Sequence, residues 1–329
     1  MKEIGGYFEL ETFTGEPYHP GLIKLNLGRT ALLYMLQQMK AHTLYVPHFL
    51  CGSVLDTCKE NGVTLLYYPI DRRLHPVFTG KMKPGECFYL VNLYGLLDEK
   101  TILSVAEQVG TLIVDHTHAF FQKAIPGIPA LYSIRKFFGL SDGAYVDMGS
   151  GSRSESEGAA SLEAVPFDSS CGRYGHILGR YEKSASIFYQ QMLDNAHTYD
   201  HAPLMRMSPL TQNLLQGIDY ERTRVRREEN YQTLAFLLGS RNPLPLPAEG
   251  PIGPFAYPFY CPDGLRIRKA MAKESIFIPT YWNNVLQEMP TDSLEYDYAA
   301  NILPLPCDQR YQKEDMERVA DVLIGLLEE

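Results

Sequence analysis

The sequence predicts an α/β protein with a large, mostly parallel sheet and a smaller α+β region at its C-terminal end. Hydrophobic residues make up 45% of its 329 residues, enough to bury a large core without disulfides or a structural metal. In the first half of the chain, short apolar runs alternate with segments of helical spacing, the order typical of βαβ units. Beyond Pro243, Pro-rich turns and short strand-like runs replace that alternation.

The alternation begins with a strand at residues 24–26 and a helix over residues 30–39, separated by a glycine turn. That helix has apolar side chains at i, i+3, i+4 and i+7, the spacing of an amphipathic helix. Short apolar runs predict six further strands, and helical patterns predict two more helices. The strands are expected at residues 43–46, 63–68, 86–92, 111–115, 130–133 and 144–146, and the helices at residues 52–61 and about 102–109.

The second half of the chain is helical in composition before it turns Pro-rich. Helices are expected over residues 174–201 and 208–238, and we interpret the basic run at residues 222–227 as a solvated helix face. Two strands, at residues 255–261 and 276–279, precede a closing amphipathic helix with a stripe of four apolar residues. The stripe consists of Met316, Val319, Ala320 and Leu323.

These patterns predict three parts of the chain. We expect a large domain over residues 1–207, a connecting helix over residues 208–238 and a small domain over residues 239–329. The polar, low-complexity segment at residues 149–159 is interpreted as a surface loop.

Charge and cysteine content indicate a protein of the cytoplasm. The net charge is −9 and the pI is about 5.5, which argues against nucleic acid or an anionic membrane as the main partner. No stretch approaches the roughly 18 apolar residues of a membrane span. The six cysteines include no C-x-x-C pair, so we expect reduced thiols and no zinc site made from cysteines.

Asp115 and Lys136 are the first two candidates for a functional site. Asp115 ends a buried strand, and open α/β sheets bind ligands beyond the carboxyl ends of their strands. Lys136 stands among aromatic residues and beside Arg135, which would lower the pKa of its amine as Schiff-base chemistry requires. The alternatives are a turn or capping role for Asp115 and a surface position for Lys136.

A third candidate is the turn Gly28, Arg29 and Thr30, which leads from a strand into a helix. Its free backbone N–H groups, the Thr30 hydroxyl and the helix dipole could hold a phosphate. Glycine and threonine also occur in such turns for backbone reasons alone, so both interpretations stay open.

Two other motifs are weaker. Residues 139–143 match the G-x-S-x-G nucleophile elbow, but a strand rather than a helix is expected to follow them. Asp115, His116 and His118 could supply metal ligands together with His48, but no second dense cluster of ligands is present in the sequence, and we expect no metal.

Taken in order, these segments resemble the DegT/DnrJ/StrS-type sugar aminotransferases, which are fold-type-I enzymes that use pyridoxal 5′-phosphate (PLP). The similarity covers nearly the whole chain, and the spacing from Asp115 to Lys136 is its most specific part. The matching segments are residues 27–32 (LGRTAL), 46–49 (VPHF), 92–95 (NLYG), 114–118 (VDHTH), 133–136 (SIRK) with Gly143, 206–208 (RMS), 227–231 (REENY, for the family's R-x-x-x-Y helix) and 302–306 (ILPLP).

The resemblance implies a role for each of three reacting side chains. Lys136 would bind the cofactor covalently and move the proton during amino transfer. Asp115 would keep the pyridine nitrogen of PLP protonated, and His118 would lie beside the ring hydroxyl.

The resemblance also implies a phosphate site and a pocket wall. Ser133 and the turn formed by Gly28, Arg29 and Thr30 would hold the cofactor's phosphate. Asn92 and Tyr94 would line the same pocket. The expected protein is a homodimer that takes an amino acid such as glutamate as donor and a keto sugar, nucleotide-linked, as acceptor in surface-polysaccharide or amino-sugar biosynthesis.

Three departures from the family pattern favour a divergent branch. Leu204 replaces the asparagine that reaches the phosphate from the neighbouring subunit, Asn92 replaces a histidine, and residues 141–144 (SDGA) replace G-E-G-G. The alternatives are therefore another PLP reaction on a sugar, which the presence of Lys136 disfavours, and a PLP-fold protein that binds a ligand without turnover.

Overall fold

The computed structural model describes residues 4–149 and 162–328. The strands are β1 (Ile23–Leu25), β2 (Thr43–Pro47), β3 (Thr64–Tyr68), β4 (Glu86–Val91), β5 (Leu112–Asp115), β6 (Ala130–Ser133), β7 (Ala144–Asp147), β8 (Tyr257–Tyr260) and β9 (Ile302–Leu305). The α-helices are α1 (Gly28–Gln38), α2 (Gly52–Glu60), α3 (Glu99–Val109), α4 (Gly175–Glu182), α5 (Tyr189–His197), α6 (Pro209–Leu215), α7 (Tyr220–Leu238), α8 (Gly264–Lys273), α9 (Asn283–Glu288), α10 (Leu294–Asn301) and α11 (Lys313–Glu328).

Strands β1 to β7 form one sheet in the order β1-β7-β6-β5-β4-β2-β3. The four pairs among β2 to β6 are parallel, whereas β7 runs antiparallel to both β1 and β6. The expected mostly parallel sheet is confirmed. Because β4, β5 and β6 are parallel neighbours, their carboxyl ends meet at one edge of the sheet.

Two expectations about strands need comment. The apolar run of β3 forms a strand, but it lies at the edge of the sheet, and Leu66 and Tyr67 are 39% and 40% exposed. The strand expected at residues 276–279 is wrong, because this segment is extended chain without a β partner. Ile276 and Ile278 are nevertheless buried, so the alternating pattern reports packing of an irregular segment against the core.

A second, C-terminal core is built around the antiparallel pair β8 and β9. The last two turns of α7, helix α8 and helix α11 pack on it. The apolar stripe predicted for the closing helix is confirmed, because all four of its residues are buried in this core. The domain boundaries at residues 207 and 238 stay a prediction.

The basic run at residues 222–227 is only partly a solvated face. Arg224 does lie near the surface and pairs with Glu221 and Glu228. Arg227 contradicts the expectation, because it is 2% exposed and points into the interior. Helical periodicity explains the difference, since Arg227 is one turn from Thr223 and Tyr231, which are also buried.

A polar network fixes the loop that follows Lys136 to the start of α6. The buried carboxylate of Asp142 accepts hydrogen bonds from the Ser208 backbone N–H and from its hydroxyl, both at 2.8 Å, and from the Thr211 hydroxyl. Ser208 in turn caps α6 by accepting from the Thr211 N–H at 3.1 Å. The R-M-S segment therefore has a structural role beside the candidate lysine.

Two remaining predictions concern the loop at residues 149–159 and membrane-spanning helices. Most of the loop expected at residues 149–159 lies outside the described residues. Within residues 4–149 and 162–328, no helix combines the length and the apolar character that crossing a membrane requires.

Candidate active site

The candidate site lies at the edge of the sheet where β4, β5 and β6 end. Asn92 follows β4, Asp115 ends β5, and Ser133 ends β6. Val91 pairs with Asp115 in register, and Asp115 pairs with Leu131. The parallel pairing therefore brings together three residues that lie up to 41 positions apart in the sequence.

Asp115 is buried, and its carboxylate is fixed by two donors. The Tyr89 hydroxyl donates to Oδ2 and the Thr117 backbone N–H donates to Oδ1, each at 2.7 Å. Burial raises the pKa of Asp115, and the two hydrogen bonds and the Lys136 ammonium oppose that rise. The carboxyl group is thus held rigidly and can share a proton with a basic partner.

Lys136 ends a short 3₁₀ turn directly after β6. Its side chain is accessible in the cleft, although Ile134 and Phe137 on either side are buried. The surrounding protein lowers the pKa of its amine through desolvation, and among the charged neighbours only Arg135 adds to that effect. Within the described residues its amine makes no hydrogen bond or ion pair, and its Nζ lies 5.5 Å from the centre of the Tyr281 ring.

His118 lies beside Lys136 under an aromatic cover. Its ring stacks on Phe255 with centroids 4.1 Å apart and planes within 8°, and Tyr281 and Trp282 flank it at 5.7 and 5.8 Å. Burial, reinforced by the Lys136 ammonium, holds the pKa of His118 well below its ordinary value. Its Nδ1 faces the backbone N–H of Tyr94 at 3.4 Å, so the neutral ring carries its proton on Nε2.

Asn92 and Tyr94 form the turn after β4. The Asn92 side chain accepts from the Leu97 N–H at 2.9 Å and donates to Gln122 at 2.7 Å, so its amide fixes the turn. Tyr94 is 1% exposed and adopts a left-handed backbone conformation with φ 56°. The cofactor contacts expected for these two residues stay a prediction.

The turn from Gly28 to Thr30 begins α1 beside Ser133. The preceding residue, Leu27, provides no side-chain cap, so the first N–H groups of the helix are free to bind an anion. A Cβ on Gly28 would lie 3.9 Å from the Ser133 Cβ, and the Ser133 hydroxyl makes no hydrogen bond within the described part of the chain.

Arg29 and Thr30 are engaged elsewhere in this structure. The Thr30 hydroxyl bonds to Asn26 at 2.7 Å, which leaves its backbone N–H as the phosphate donor. Arg29 lies 3.8 Å from Asp200, whose side chain is exposed, so the pair contributes little by itself. Their roles in phosphate binding stay a prediction.

Sequence reasoning missed several side chains that shape the site. Tyr89 holds Asp115, and Phe255 and Tyr281 cover His118 from residues far along the chain. Only the position of Tyr89, two residues before the end of β4, gave a sequence signal, since alternate residues of a strand share a face.

A cavity of about 430 Å³ opens from Lys136 toward the C-terminal core. Residues of the C-terminal third of the chain, such as Tyr281, Asp308 and Arg310, form most of its wall, and Arg180 of α4 also lines it. The cleft is therefore large enough for a small molecule and carries both charge signs.

The described residues do not form the metal site considered from the sequence. His118 stacks on Phe255 and His48 stacks on Tyr67, whereas the His116 ring lies against Tyr132. Within the described ranges, no three His, Cys, Asp or Glu side chains are placed to hold an ion.

Comparison with solved structures finds the same architecture over nearly the whole chain. Spr1654 from Streptococcus pneumoniae, in its PMP form, has a TM-score of 0.66 at 13% identity, over 95% of this chain and 92% of that one. DesV from S. venezuelae has a TM-score of 0.64 at 15% identity, over 93% and 85%. A DegT DnrJ EryC1 StrS aminotransferase from Brucella abortus has a TM-score of 0.60 at 13% identity, over 93% and 85%.

Comparisons by sequence add little. No protein-family model matches the chain. The DNA mismatch repair protein MSH3 of Yarrowia lipolytica is 34% identical over 76 residues, which are 22% of this chain and 8% of that protein. A likeness confined to so small a part of MSH3 carries no argument about function, whereas the structural similarity confirms that the chain has the fold of the DegT/DnrJ/EryC1/StrS-type aminotransferases.

Proposed function

We propose that this protein is a PLP-dependent aminotransferase that moves an amino group from an amino acid, with glutamate as the expected donor, to a keto sugar. The observation that carries the proposal is the amine of Lys136, which has no polar partner within the described residues, lines a cavity and interacts electrostatically with the buried carboxyl group of Asp115. The shared fold supports it, since Spr1654 is known in a PLP form and a PMP form.

The side chains present fit the cofactor. The uncapped start of α1 and the free Ser133 hydroxyl offer donors to a phosphate. Asp115 has an acidic group fixed toward the sheet edge, and His118 offers an Nε2–H. When bound, PLP supplies an electron sink for amino transfer.

The residues then have defined proton chemistry. Asp115 holds a proton at the pyridine nitrogen, and Tyr89 and Thr117 keep its carboxyl group in place. Lys136 has a lowered amine pKa, so its neutral form, which can accept a proton and return it to a neighbouring atom, is more populated than that of an ordinary lysine. His118, held neutral by burial, donates a hydrogen bond without adding positive charge.

The cavity beside Lys136 supports a polar acceptor. Its wall combines tyrosine rings with the charged side chains of Asp308, Arg310 and Arg318, a mixture suited to hydroxyl groups and an attached anionic group. We propose that the reaction belongs to amino-sugar or surface-polysaccharide biosynthesis, and a charged wall of this kind supports a nucleotide-linked sugar as acceptor.

The experiment that tests this function is the absorption spectrum of the purified protein with added PLP, before and after glutamate. We expect a band of bound PLP that glutamate converts to the pyridoxamine form. Lys136→Ala should abolish the band and the turnover while its far-UV circular dichroism matches the wild type. A Lys136→Ala protein with near-normal transamination would refute the role of Lys136.

The absence of a PLP absorption band would also be informative. If the folded wild type shows no PLP band, the proposed enzyme is wrong and a ligand-binding role for the same fold takes its place. The replacement of the family's asparagine by Leu204 and the internal use of the Asn92 amide make this comparison informative.

A homodimer and a cytoplasmic location belong to the same proposal. Helices α4 and α5 and the short turn between them support the dimer, because they present large apolar side chains to solvent: Leu178, Tyr181, Ile187 and Tyr189 are between 58% and 95% exposed. Such a surface is typical of a protein contact site.

A further inference from the structure

Arg227 is a buried cation that contacts the chain segment carrying Lys136. Its Nη2 donates to the carbonyl of Phe137 at 3.2 Å, and Phe137 directly follows Lys136. Its guanidinium group also lies over the Phe137 ring, with the central carbon 4.5 Å from the ring centre. Arg227 therefore fixes both the backbone and the side chain next to the candidate lysine.

Gln309 reinforces the same contact. Its Oε1 accepts from the Arg227 Nε at 2.7 Å, and its Nε2 donates to the Phe137 carbonyl at 2.8 Å. The Phe137 oxygen thus receives two donors from residues more than 80 positions away in the sequence. Such a doubly bonded carbonyl has little freedom to move.

The other arm of the guanidinium group reaches the segment that covers His118. Arg227 Nη1 donates to the Pro254 carbonyl at 2.8 Å and to the Phe255 carbonyl at 3.5 Å. Phe255 is the residue whose ring stacks on His118 at 4.1 Å. One side chain therefore connects the Lys136 turn with the aromatic cover of the site.

The chemistry of arginine suits this task. The planar guanidinium group directs its donors in three fixed directions, which a lysine ammonium on a flexible stem does not do. No carboxylate within the described residues forms an ion pair with Arg227, and its donors are used on two carbonyls of the cover, one carbonyl of the lysine turn and one amide. Burying a charge without an opposite charge costs free energy. The directional hydrogen bonds of Arg227 are therefore what its burial provides.

We infer that Arg227 is a positioning residue that keeps Lys136 and the cover of His118 in one fixed arrangement. The inference deepens the proposed function and rests on it for the reaction that Lys136 performs. It concerns the placement of Lys136, which can be measured without PLP.

Competitive acylation of the full-length protein by acetic anhydride, read by mass spectrometry as a function of pH, tests the inference. The labelling rate of Lys136 reports its neutral fraction and hence its pKa. Arg227→Gln should loosen the Lys136 turn, so that the amine moves further into water and its pKa rises by about one unit, which lowers the labelling rate at neutral pH about tenfold. In the presence of PLP, the absorption of the bound cofactor should show a matching change in its pH titration.

Arg268→Gln is the matched control. Arg268 is also a buried arginine that donates to carbonyls, those of Ala299, Ala300 and Ile302, but it makes no bond to the Lys136 segment. We expect both variants to lose stability and only Arg227→Gln to change the Lys136 profile. An equal change in both variants, or a wild-type profile in folded Arg227→Gln, overturns the inference.

Gln309→Ala covers the case in which Arg227→Gln does not fold. It removes one of the two donors to the Phe137 carbonyl from a half-buried position, and it should shift the Lys136 profile in the same direction by a smaller amount. An unchanged profile contradicts the inference. A wild type that binds no PLP overturns the proposed enzyme, whereas the labelling profiles still decide the role of Arg227.

Discussion

At the scale of single residues, burial pushes each ionisable group of the site toward its neutral form. It lowers the pKa of Lys136 and of His118 and raises that of Asp115. The common cause is the cost of placing charge where little water can solvate it. Groups held toward their neutral forms can exchange protons with one another and with a bound molecule.

The backbone of Gly95 lies close to the backbone of His118. It has φ +75°, and a Cβ there would lie 2.9 Å from the carbonyl oxygen of His118. Gly95→Ala should therefore lose about 1 to 2 kcal/mol of unfolding free energy through its backbone conformation, and about 1 kcal/mol or more by pushing on His118. PLP affinity, measured by absorption titration, should fall with it.

Gly110→Ala is the control for this prediction. Gly110 has φ +84°, but a Cβ there meets no atom within 4 Å. Urea unfolding of both variants separates the backbone cost from the contact with His118. Equal losses in the two variants, with PLP affinity unchanged in both, would show that Gly95 does not shape the site.

At the scale of elements, α4 and α5 bury almost none of their side chains within the single chain. No residue of α4 is buried, and Asn195 is the one buried residue of α5. A helix usually gains its stability by burying an apolar face. These two helices therefore suggest a face that a second copy of the chain covers in the proposed homodimer.

Ile187→Glu tests that expectation. Ile187 lies between the two helices and is 64% exposed. The wild type should sediment as a dimer at micromolar concentration, and the variant should shift toward monomer because a buried glutamate would lose its hydration. Phe236→Glu, at an 88% exposed site on α7, should leave the dimer intact. A fully active wild-type monomer would count against the homodimer.

At the scale of the whole molecule, buried histidines connect stability to pH. Burial lowers the pKa of His19 and of His116 to about 3, against an ordinary value near 6.5. As the pH falls, the unfolded chain binds these protons first. The contribution to stability is therefore complete above about pH 6.5 and is lost progressively as the pH falls toward about 3.

The variant His19→Gln measures how much of this loss of stability at low pH comes from His19. At pH 5 each such histidine should cost about 2 kcal/mol relative to neutral pH. Glutamine does not titrate and can still donate to the Phe120 carbonyl, which His19 contacts at 2.7 Å. The drop in unfolding free energy between pH 7 and pH 5, from urea titrations, should be smaller in the variant by about that amount. An identical drop would show that His19 protonates as easily in the folded protein as in the unfolded chain.

The sequence by itself determined most of the large sheet and the position of its main candidates. Strand and helix periods are local, because side chains alternate along a strand and repeat every 3.6 residues along a helix. The pattern therefore located the strands that end in Asp115 and Ser133, and the glycine turn at the start of α1. The rule that ligands bind beyond parallel strand ends then indicated the site.

The tertiary structure alone decided which polar groups are free to act. Thr30 and Asn92 match the expected pattern, but their side chains are bonded within the protein, whereas Ser133 and Lys136 make no side-chain hydrogen bond in the part of the chain that the structure describes. Arg227 belongs to a run that looks solvated, yet it lies in the interior between distant segments. Burial and hydrogen-bond partners depend on contacts between residues far apart in the sequence, and no local period contains that information.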